Sequence, residues 1–295
     1  MTPPRAVIVT GGGTGIGAAV ARALTAAGDR VAIFGRRPGP LREVAAVTGA
    51  VDVVCDVSDA AQVAAAVGSV LDRFGGLDGL VLNAGVMRPG GLAELSAADW
   101  DALVAVNLTG AFHTVRAALP HLLAARGAVV AVASIAALRA ATGMGGYAVT
   151  KAGLTMLTQS LAVDHAPEGL RANVVCPGWT ITEMADEEMA AFGASRGGLG
   201  VGDAYSLVTS LVPQRRAARY RTGAGHRGWP SGPGPGPGAG GILSREAPAP
   251  GAADRSAYAA QPVGTRGTVK CCQATSRDSW RRAAPSCGRL GGSAL

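Results

Sequence analysis

A buried strand, a glycine-rich turn and a helix follow one another near the N-terminus, and this order constrains the fold more than any other feature. Residues Ala6 to Thr10 form a short apolar run, typical of a strand that is buried on both faces of a sheet. The turn from Gly11 to Gly17 contains five glycines, and apolar residues then recur at helical spacing. In this context backbone amides can approach a pyrophosphate, and the helix N-terminus supplies partial positive charge. We therefore predict a dinucleotide-binding turn; the alternative is a glycine-rich turn without a ligand.

Short apolar runs alternate with helical patterns through the first 180 residues, as expected for a parallel sheet covered by helices on both faces. Strands are predicted at residues 6–10, 30–34, 51–55, 77–82, 128–133 and 171–176. Helices are predicted at residues 15–27, 39–47, 59–74, 96–125 (as one helix or two) and 147–165. Right-handed crossovers place the carboxyl ends of the strands on one edge. The expected fold class is α/β, a Rossmann-type doubly wound parallel sheet with six recognisable strands.

A serine, a tyrosine and a lysine form the most specific chemical pattern in the chain. Tyr147 and Lys151 are four residues apart, which places them on one face of a helix about 6 Å apart. A nearby ammonium favours the phenolate, so we expect Lys151 to lower the pKa of Tyr147 from its usual value of about 10. The hydroxyl of Ser134, from a neighbouring strand, can hold a carbonyl or alcohol oxygen beside the phenol. This pattern predicts proton transfer to and from a substrate oxygen, which is half of a carbonyl reduction.

Six motifs together make the chain resemble the short-chain dehydrogenase/reductase family over about residues 5–219. They are Thr10 to Gly17, Asn83-Ala84-Gly85, Asn107, Ser134, Tyr147 to Lys151, and Pro177-Gly178. The resemblance implies an NAD(P)H-dependent enzyme that interconverts a secondary alcohol and a ketone, both small molecules. It implies that Tyr147 is the acid/base, that Lys151 tunes it, and that Ser134 positions the substrate oxygen. It also implies that Asn107 kinks its helix and holds a water of a proton relay, although a mid-helix asparagine can be a packing irregularity.

The resemblance also implies which residues bind the cofactor. Asp56 and Val57, after the third strand, are expected at the adenine, although a helix-capping role for Asp56 is an alternative. The remaining expected contacts are Gly11, Thr14, Gly15, Ile16, Gly17, Asn83, Ala84, Gly85, Tyr147, Lys151, Pro177, Gly178, Thr180 and Thr182.

Two arginines follow the second predicted strand, where dinucleotide folds contact the adenosine ribose. Gly35 occupies the usual acidic position, and Arg36 and Arg37 come directly after it. Because a guanidinium matches a phosphate with two parallel hydrogen bonds, we predict NADP in preference to NAD. An ordinary solvated loop is the alternative.

The segment after Gly178 corresponds, by the same resemblance, to a mobile lid over the substrate. Its apolar residues, together with Met87, Leu138 and Met144 from facing loops, favour a mainly hydrophobic or ring-shaped substrate. The alternative is that these side chains pack only on one another.

Charge and composition divide the chain near Arg219. Residues 1–219 contain 17 Lys/Arg and 17 Asp/Glu, so this domain carries no bulk charge for nucleic acid. Residues 220–295 contain 10 Lys/Arg and 3 Asp/Glu, which accounts for the whole net charge of +7. With 15 Gly and 8 Pro in that segment, we predict a disordered low-complexity tail. The tail lacks the seventh strand and preceding helix that the family would have there.

Two hypotheses explain this tail: a frameshift near codon 219, or a genuine basic tail that binds a polyanion. Without the missing elements the protein could bind a dinucleotide without catalysis, which is the second function we consider. The family tetramer is not expected. The largest assembly that we expect is a homodimer of weakened stability, through the helices that hold Asn107 and Tyr147. The sequence has neither an uncharged apolar run of about 18–20 residues nor a signal-peptide core, so we predict no membrane association and a cytoplasmic protein.

Overall fold

The computed structural model describes residues 4–209, and this part of the chain is built on one parallel sheet. The strand order is β3-β2-β1-β4-β5-β6, and every pairing is parallel. From β1 the chain moves outward to β3, then returns to the centre and moves outward to β6. A ligand crevice is therefore expected where the order reverses, at the carboxyl ends of β1 and β4. The strands are β1 (Ala6–Thr10), β2 (Arg30–Gly35), β3 (Val51–Val54), β4 (Gly79–Leu82), β5 (Ala128–Val132) and β6 (Arg171–Val175).

Helices connect the strands and extend beyond the last one. Asp59 begins α3 by accepting hydrogen bonds from the amides of Ala61 and Gln62, at 2.8 and 3.1 Å. Gly75 ends the same helix in the left-handed region, with φ +73°. The helices are α1 (Gly15–Ala26), α2 (Pro38–Thr48), α3 (Ala60–Phe74), α4 (Ala97–Val104), α5 (Gly110–Ala124), α6 (Gly145–His165), α7 (Glu183–Ser195) and α8 (Val201–Thr209).

Alternate residues of the central strands supply two apolar clusters, one on each face of the sheet. Ile8 and Phe34 point toward α3, α5 and α6, and both are fully buried. Val9 and Ile33, the next residues in the alternation, point toward α1 and α2 and are also fully buried. Burial on both faces is the reason that these strands read as continuous apolar runs.

The predicted fold class is confirmed, and the six predicted strands occur within two residues of their expected bounds. The predicted helical region 96–125 is two helices, α4 and α5, separated by a π-helical turn at Ala105–Thr109. The boundary at residue 219, the missing seventh strand and helix, and the tail at residues 220–295 lie outside the described residues. In the described part, β6 pairs only with β5, and Val175 on β6 is 51% exposed.

The segment Ala97–Ala124 is long and apolar enough to cross a membrane by length and composition alone. The core helix of a soluble protein meets the same criterion. Leu103, Val115 and Leu122 of this segment are buried inside the protein. We therefore assign α4 and α5 to the helical layer that covers the sheet.

Candidate active site

Lys151 and Tyr147 occupy successive turns at the start of α6. The lysine Nζ lies 5.7 Å from the centroid of the Tyr147 ring, close to the separation expected from the sequence. Lys151 is 3% exposed, and its ammonium donates a hydrogen bond of 2.9 Å to the carbonyl oxygen of Val132 at the end of β5. The sheet therefore holds the lysine beneath the tyrosine.

Ser134 follows β5 and begins a short 3₁₀ turn, Ile135–Ala137. Its Oγ accepts a hydrogen bond of 3.1 Å from the amide of Ala136, which fixes the side chain at the strand end. The Ser134 hydroxyl also lies close enough to Tyr147 to act on the pKa of the phenol. The structure thus brings together the serine, tyrosine and lysine that the sequence pattern singled out.

The pKa of the tyrosine moves in the direction opposite to our expectation. Burial raises the pKa of Tyr147 to about 12, the nearby hydroxyl of Ser134 opposes this rise, and the charge of Glu188 adds to it. Burial also lowers the pKa of Lys151 to about 8, which weakens the ammonium as a source of positive charge. The predicted lowering of the Tyr147 pKa is therefore wrong for this structure, because desolvation of the phenol is the largest effect on it.

Asn107 is fully buried in the π-helical turn between α4 and α5. Its Oδ1 accepts from the amide of Val86 at 2.7 Å, and its Nδ2 donates to the Val86 carbonyl at 2.9 Å and to Thr150 Oγ1 at 3.1 Å. The side chain therefore ties the loop after β4 to the residue preceding Lys151. The predicted interruption of the helix is present as the π-helical turn. The water of the relay stays a prediction.

At two positions of the glycine-rich turn, a side chain would collide with the neighbouring backbone. Gly11 has φ +64°, and a Cβ there would lie 2.9 Å from the Cα of Ala84. A Cβ on Gly17 would overlap the carbonyl oxygen of Gly11. Asn83 Nδ2 donates to the carbonyl oxygens of Thr10 and Gly11, at 3.0 and 3.1 Å. Asn83 therefore holds the shape of the turn as well as bordering the crevice.

Two cavities meet at this turn, one of about 300 Å³ and one of about 160 Å³. We call them the catalytic cavity and the adenosine cavity. Two predicted residues, Gly17 and Asn107, line neither cavity. The catalytic cavity is lined by Gly11, Thr14, Gly15, Ile16, Asn83, Ala84, Gly85, Ser134, Tyr147, Lys151, Pro177, Gly178, Thr180 and Thr182 among the predicted residues. The adenosine cavity is lined by Gly11, Thr14, Ala84 and Gly85 again, with Arg36, Arg37, Asp56 and Val57.

Both arginines at the adenosine cavity have acidic neighbours. Arg37 forms two hydrogen bonds with Glu183, at 3.0 and 2.7 Å, and this contact raises the pKa of the arginine. Arg36 Nη1 lies 3.9 Å from Asp56 Oδ2. The other oxygen of Asp56 accepts from the amide and hydroxyl of Ser58, whereas Asp59 caps α3. Asp56 therefore stabilises the turn before α3, and the helix itself is capped by Asp59 rather than by Asp56.

The helix α7 covers the catalytic cavity and brings residues that the sequence patterns did not identify. Glu183 and Glu188 both line this cavity. The spacing of Glu188 from the buried residues Ala185 and Met189 could have indicated its inward position. Of the loop residues expected to face the lid, Met87 and Met144 line the cavity. Leu138 is 64% exposed and is not among the lining residues.

A parallel sheet with a glycine turn, and a serine, tyrosine and lysine at its carboxyl edge, defines a dinucleotide-dependent oxidoreductase class. The sequence matches the short chain dehydrogenase family over residues 5–191. The chain therefore belongs to the short-chain dehydrogenase family of oxidoreductases.

Similar proteins include both curated sequences and solved structures. Protein MoaE of Klebsiella aerogenes is 42% identical over 221 residues, covering 72% of this chain and 83% of that protein. The 2-(R)-hydroxypropyl-CoM dehydrogenase of Xanthobacter autotrophicus is 39% identical over 190 residues, covering 61% and 76%. An actinorhodin polyketide ketoreductase solved with NADPH has a TM-score of 0.70 and 30% identity, covering 74% of this chain and 87% of that one.

Proposed function

We propose that this chain is an NADP(H)-dependent oxidoreductase that interconverts a secondary alcohol and a ketone. The observation that carries the proposal is the meeting of Ser134, Tyr147 and Lys151 in a cavity that also borders the glycine turn. Membership of the short-chain dehydrogenase family supports an oxidoreductase. The similar ketoreductase solved with NADPH supports both the reaction type and the cofactor.

The residues around the two cavities fit a dinucleotide. At Gly11 and Gly17 a Cβ would strike the neighbouring backbone, so the turn is shaped for close approach of its amides to a ligand. The N-terminus of α1 follows directly, and this is a favourable place for a pyrophosphate. Arg36 and Arg37 lie at the adenosine cavity, where their guanidinium groups can contact a 2′-phosphate. Bound NADP(H) would supply or accept the hydride.

The side chains of the catalytic cavity can manage the proton. Burial keeps the phenol of Tyr147 protonated at neutral pH, which suits it to donate a proton to the oxygen of a ketone during reduction. Ser134 holds that oxygen beside the phenol. The ammonium of Lys151 stabilises the phenolate that remains, and it uses one of its three protons for Val132. Asn107 holds the loop after β4 against the helix α6. We propose that it also supports a proton relay.

The replacement Tyr147→Phe tests this function. We expect kcat for ketone reduction to fall by about 10²- to 10⁴-fold, because the proton donor is lost. The Kd for NADPH, measured by fluorescence titration, should change much less than kcat, because Tyr147 is only one of many expected cofactor contacts. Tyr205→Phe is the matched control for loss of a phenolic hydroxyl, because Tyr205 on α8 donates to Asp186 and does not line the catalytic cavity. NADPH binding without turnover across a ketone panel would instead favour a non-catalytic dinucleotide-binding protein.

We also propose a cytoplasmic protein that forms homodimers through α5 and α6. A stripe of exposed apolar residues on α6 supports the homodimer. Val149, Met156 and Val163 recur every seven residues and are 50–65% exposed. Phe112 on α5 is 46% exposed. Apolar stripes with this spacing lie along one side of a helix and suit contact with another helix.

A further inference from the structure

Two carboxylates of α7 line the catalytic cavity: Glu183, which is bound to Arg37, and Glu188. Glu188 lines the catalytic cavity together with Met184, which lies one turn earlier on the same helix. Met189, the next residue, is 1% exposed, so this face of α7 packs inward. Glu187 is exposed and is not among the cavity-lining residues. Glu188 is thus placed inside the cavity by the helix, while the acidic residue beside it faces solvent.

Glu188 has no partner of its own in the described part of the chain. No side chain or amide of residues 4–209 forms a hydrogen bond or ion pair with it. Burial alone raises the pKa of its carboxyl to about 7, so no nearby cation offsets the loss of water. Arg139 also borders the cavity, but its side chain is exposed and does not act on this carboxyl. The buried ammonium of Lys151 does not act on it either.

Three methionines give the substrate side of the cavity an apolar part. Met87, Met144 and Met184 line it with thioether side chains that suit a hydrocarbon part of a substrate. Glu188 interrupts this apolar lining close enough to Tyr147 to raise the pKa of the phenol. Burial removes part of the water from this carboxylate, and a ligand that supplies a hydrogen bond or positive charge would offset that loss.

We propose that Glu188 binds a second polar group of the substrate, an O–H or N–H donor next to the alcohol or ketone that reacts. The proposal rests on the proposed oxidoreductase function and narrows its substrate class to hydroxy- or amino-substituted alcohols and ketones. The donor points to Glu188 while the reacting oxygen lies at Ser134 and Tyr147. A substrate carboxylate placed there would meet like charge and be disfavoured.

Four alcohols of the same carbon length test this specificity in the full-length protein with NADP⁺ at pH 8, where Glu188 is ionised. They are 2-butanol, 1,2-butanediol, 1-amino-2-butanol and 3-hydroxybutyrate. We expect kcat/KM for the amino alcohol or the diol to exceed that for 2-butanol by about tenfold or more, and 3-hydroxybutyrate to be the poorest. A preference for the amine over the diol identifies an ammonium as the ligand, and the reverse identifies a hydroxyl.

The variants Glu188→Gln and Glu187→Gln carry the same change of charge and separate a local effect from a general one. In Glu188→Gln the preference for the amino alcohol over 2-butanol should fall by about tenfold. The ratio is the readout, because loss of the charge at Glu188 also changes the pKa of Tyr147 and so the rate with every alcohol. In Glu187→Gln the preference should stay unchanged, because that side chain faces solvent. Equal effects of the two variants on all four alcohols, or no donor preference in the unmodified enzyme, would overturn the proposal.

Isothermal titration provides a readout that needs no turnover. In the presence of NADP⁺, the unmodified protein should bind 1-amino-2-butanol or 1,2-butanediol about tenfold more tightly than 2-butanol. Glu188→Gln should remove this difference for the amino alcohol. If the alcohols bind with this difference but none is oxidised, the proposed enzymatic function fails and the role of Glu188 stands. Equal binding of all the alcohols overturns the role of Glu188 whether or not they are oxidised.

Discussion

The guanidinium of Arg37 is held by the carboxylate of Glu183 through two hydrogen bonds of 3.0 and 2.7 Å. Arg37 lies on the loop after β2 and lines the adenosine cavity, whereas Glu183 is the first residue of α7 and lines the catalytic cavity. The pair therefore joins the two ends of the proposed cofactor site across the glycine turn. It also places a negative charge beside the arginine that is expected to bind a 2′-phosphate.

Replacing Glu183 with Gln should increase the preference for NADPH over NADH. The carboxylate of Glu183 competes with a 2′-phosphate for Arg37. NADH has no such phosphate, so its kcat/KM should not depend on this competition. Both side chains are at least half-exposed, so we expect a change of about two- to fivefold in the ratio of kcat/KM values. Steady-state kinetics with the two cofactors measures it.

Glu187→Gln serves as the control for that experiment, since Glu187 acts on Arg37 through its charge alone and forms no hydrogen bond with it. The ratio should therefore change less than in Glu183→Gln. An unchanged NADPH/NADH ratio in Glu183→Gln would show that Arg37 does not hold the phosphate. A clear preference of the unmodified protein for NADH would refute the NADP prediction itself.

Ketone reduction should slow as the pH rises above about 8. The pKa of Lys151 is lowered to about 8, so its ammonium is lost above that pH, while Tyr147, with a pKa of about 12, stays protonated. Without the ammonium, the phenolate formed on proton donation loses its stabilisation. A pH–rate profile of kcat with NADPH from pH 6 to 10 should show one descending limb. A profile that stays flat to pH 10 would contradict this assignment.

Asn107→Ala should destabilise the protein by about 1–3 kcal/mol. The change leaves the amide and carbonyl of Val86 and the hydroxyl of Thr150 without the partner that the structure provides. Urea unfolding followed by circular dichroism measures the loss. Asn173→Ala is the matched control, because Asn173 is exposed on β6 and should change stability by less than about 0.5 kcal/mol. Equal effects of the two replacements would argue against a structural role for Asn107.

Glu188 should make stability fall as the pH rises from about 4.5 to 7. The pKa of its carboxyl is raised to about 7 in the folded protein from 4.5, so the folded state binds more protons than the unfolded state in this window. Glu188→Gln removes this difference, and its Tm relative to the unmodified protein should increase over the same range. Thermal unfolding at pH 4.5 and 7.5 tests the sign. A Tm difference that is constant with pH would contradict the raised pKa.

Met156→Glu should convert the proposed dimer to a monomer. A charge in the middle of the apolar stripe on α6 would have to be buried against the second protomer without a partner. Light scattering coupled to gel filtration measures the change. Val47→Glu is the control, because Val47 is 72% exposed on α2 and lies away from the stripe. Persistence of the dimer in Met156→Glu would place the interface elsewhere.

The order of elements could be predicted because local patterns report burial directly. Strands buried on both faces, such as Ala6–Thr10, appear as unbroken apolar runs, and the alternation with helices then implies a parallel sheet. The spacing of Tyr147 and Lys151 likewise follows from helix geometry alone. These features depend on neighbours within a few residues, so the sequence indicates them without knowledge of the tertiary structure.

Contacts between distant segments could not be predicted in the same way. Arg37 and Glu183 are 146 positions apart, and no local pattern pairs them. Asn83 was expected only as a cofactor residue, yet its amide also holds the glycine turn through the carbonyls of Thr10 and Gly11. Such contacts arise when crossovers bring the ends of different strands to one edge of the sheet.

The sequence by itself determined the fold class, the family and the three side chains at the centre of the proposed reaction. Only the tertiary structure decided the electrostatics of that centre. Burial raises the pKa of Tyr147 and lowers that of Lys151, although their spacing alone suggested a tyrosine with a lowered pKa. Spacing gives the distance between two charges. The free energy of their ionisation also depends on how much water the folded chain removes from them, and this burial involves helices and strands from distant parts of the sequence.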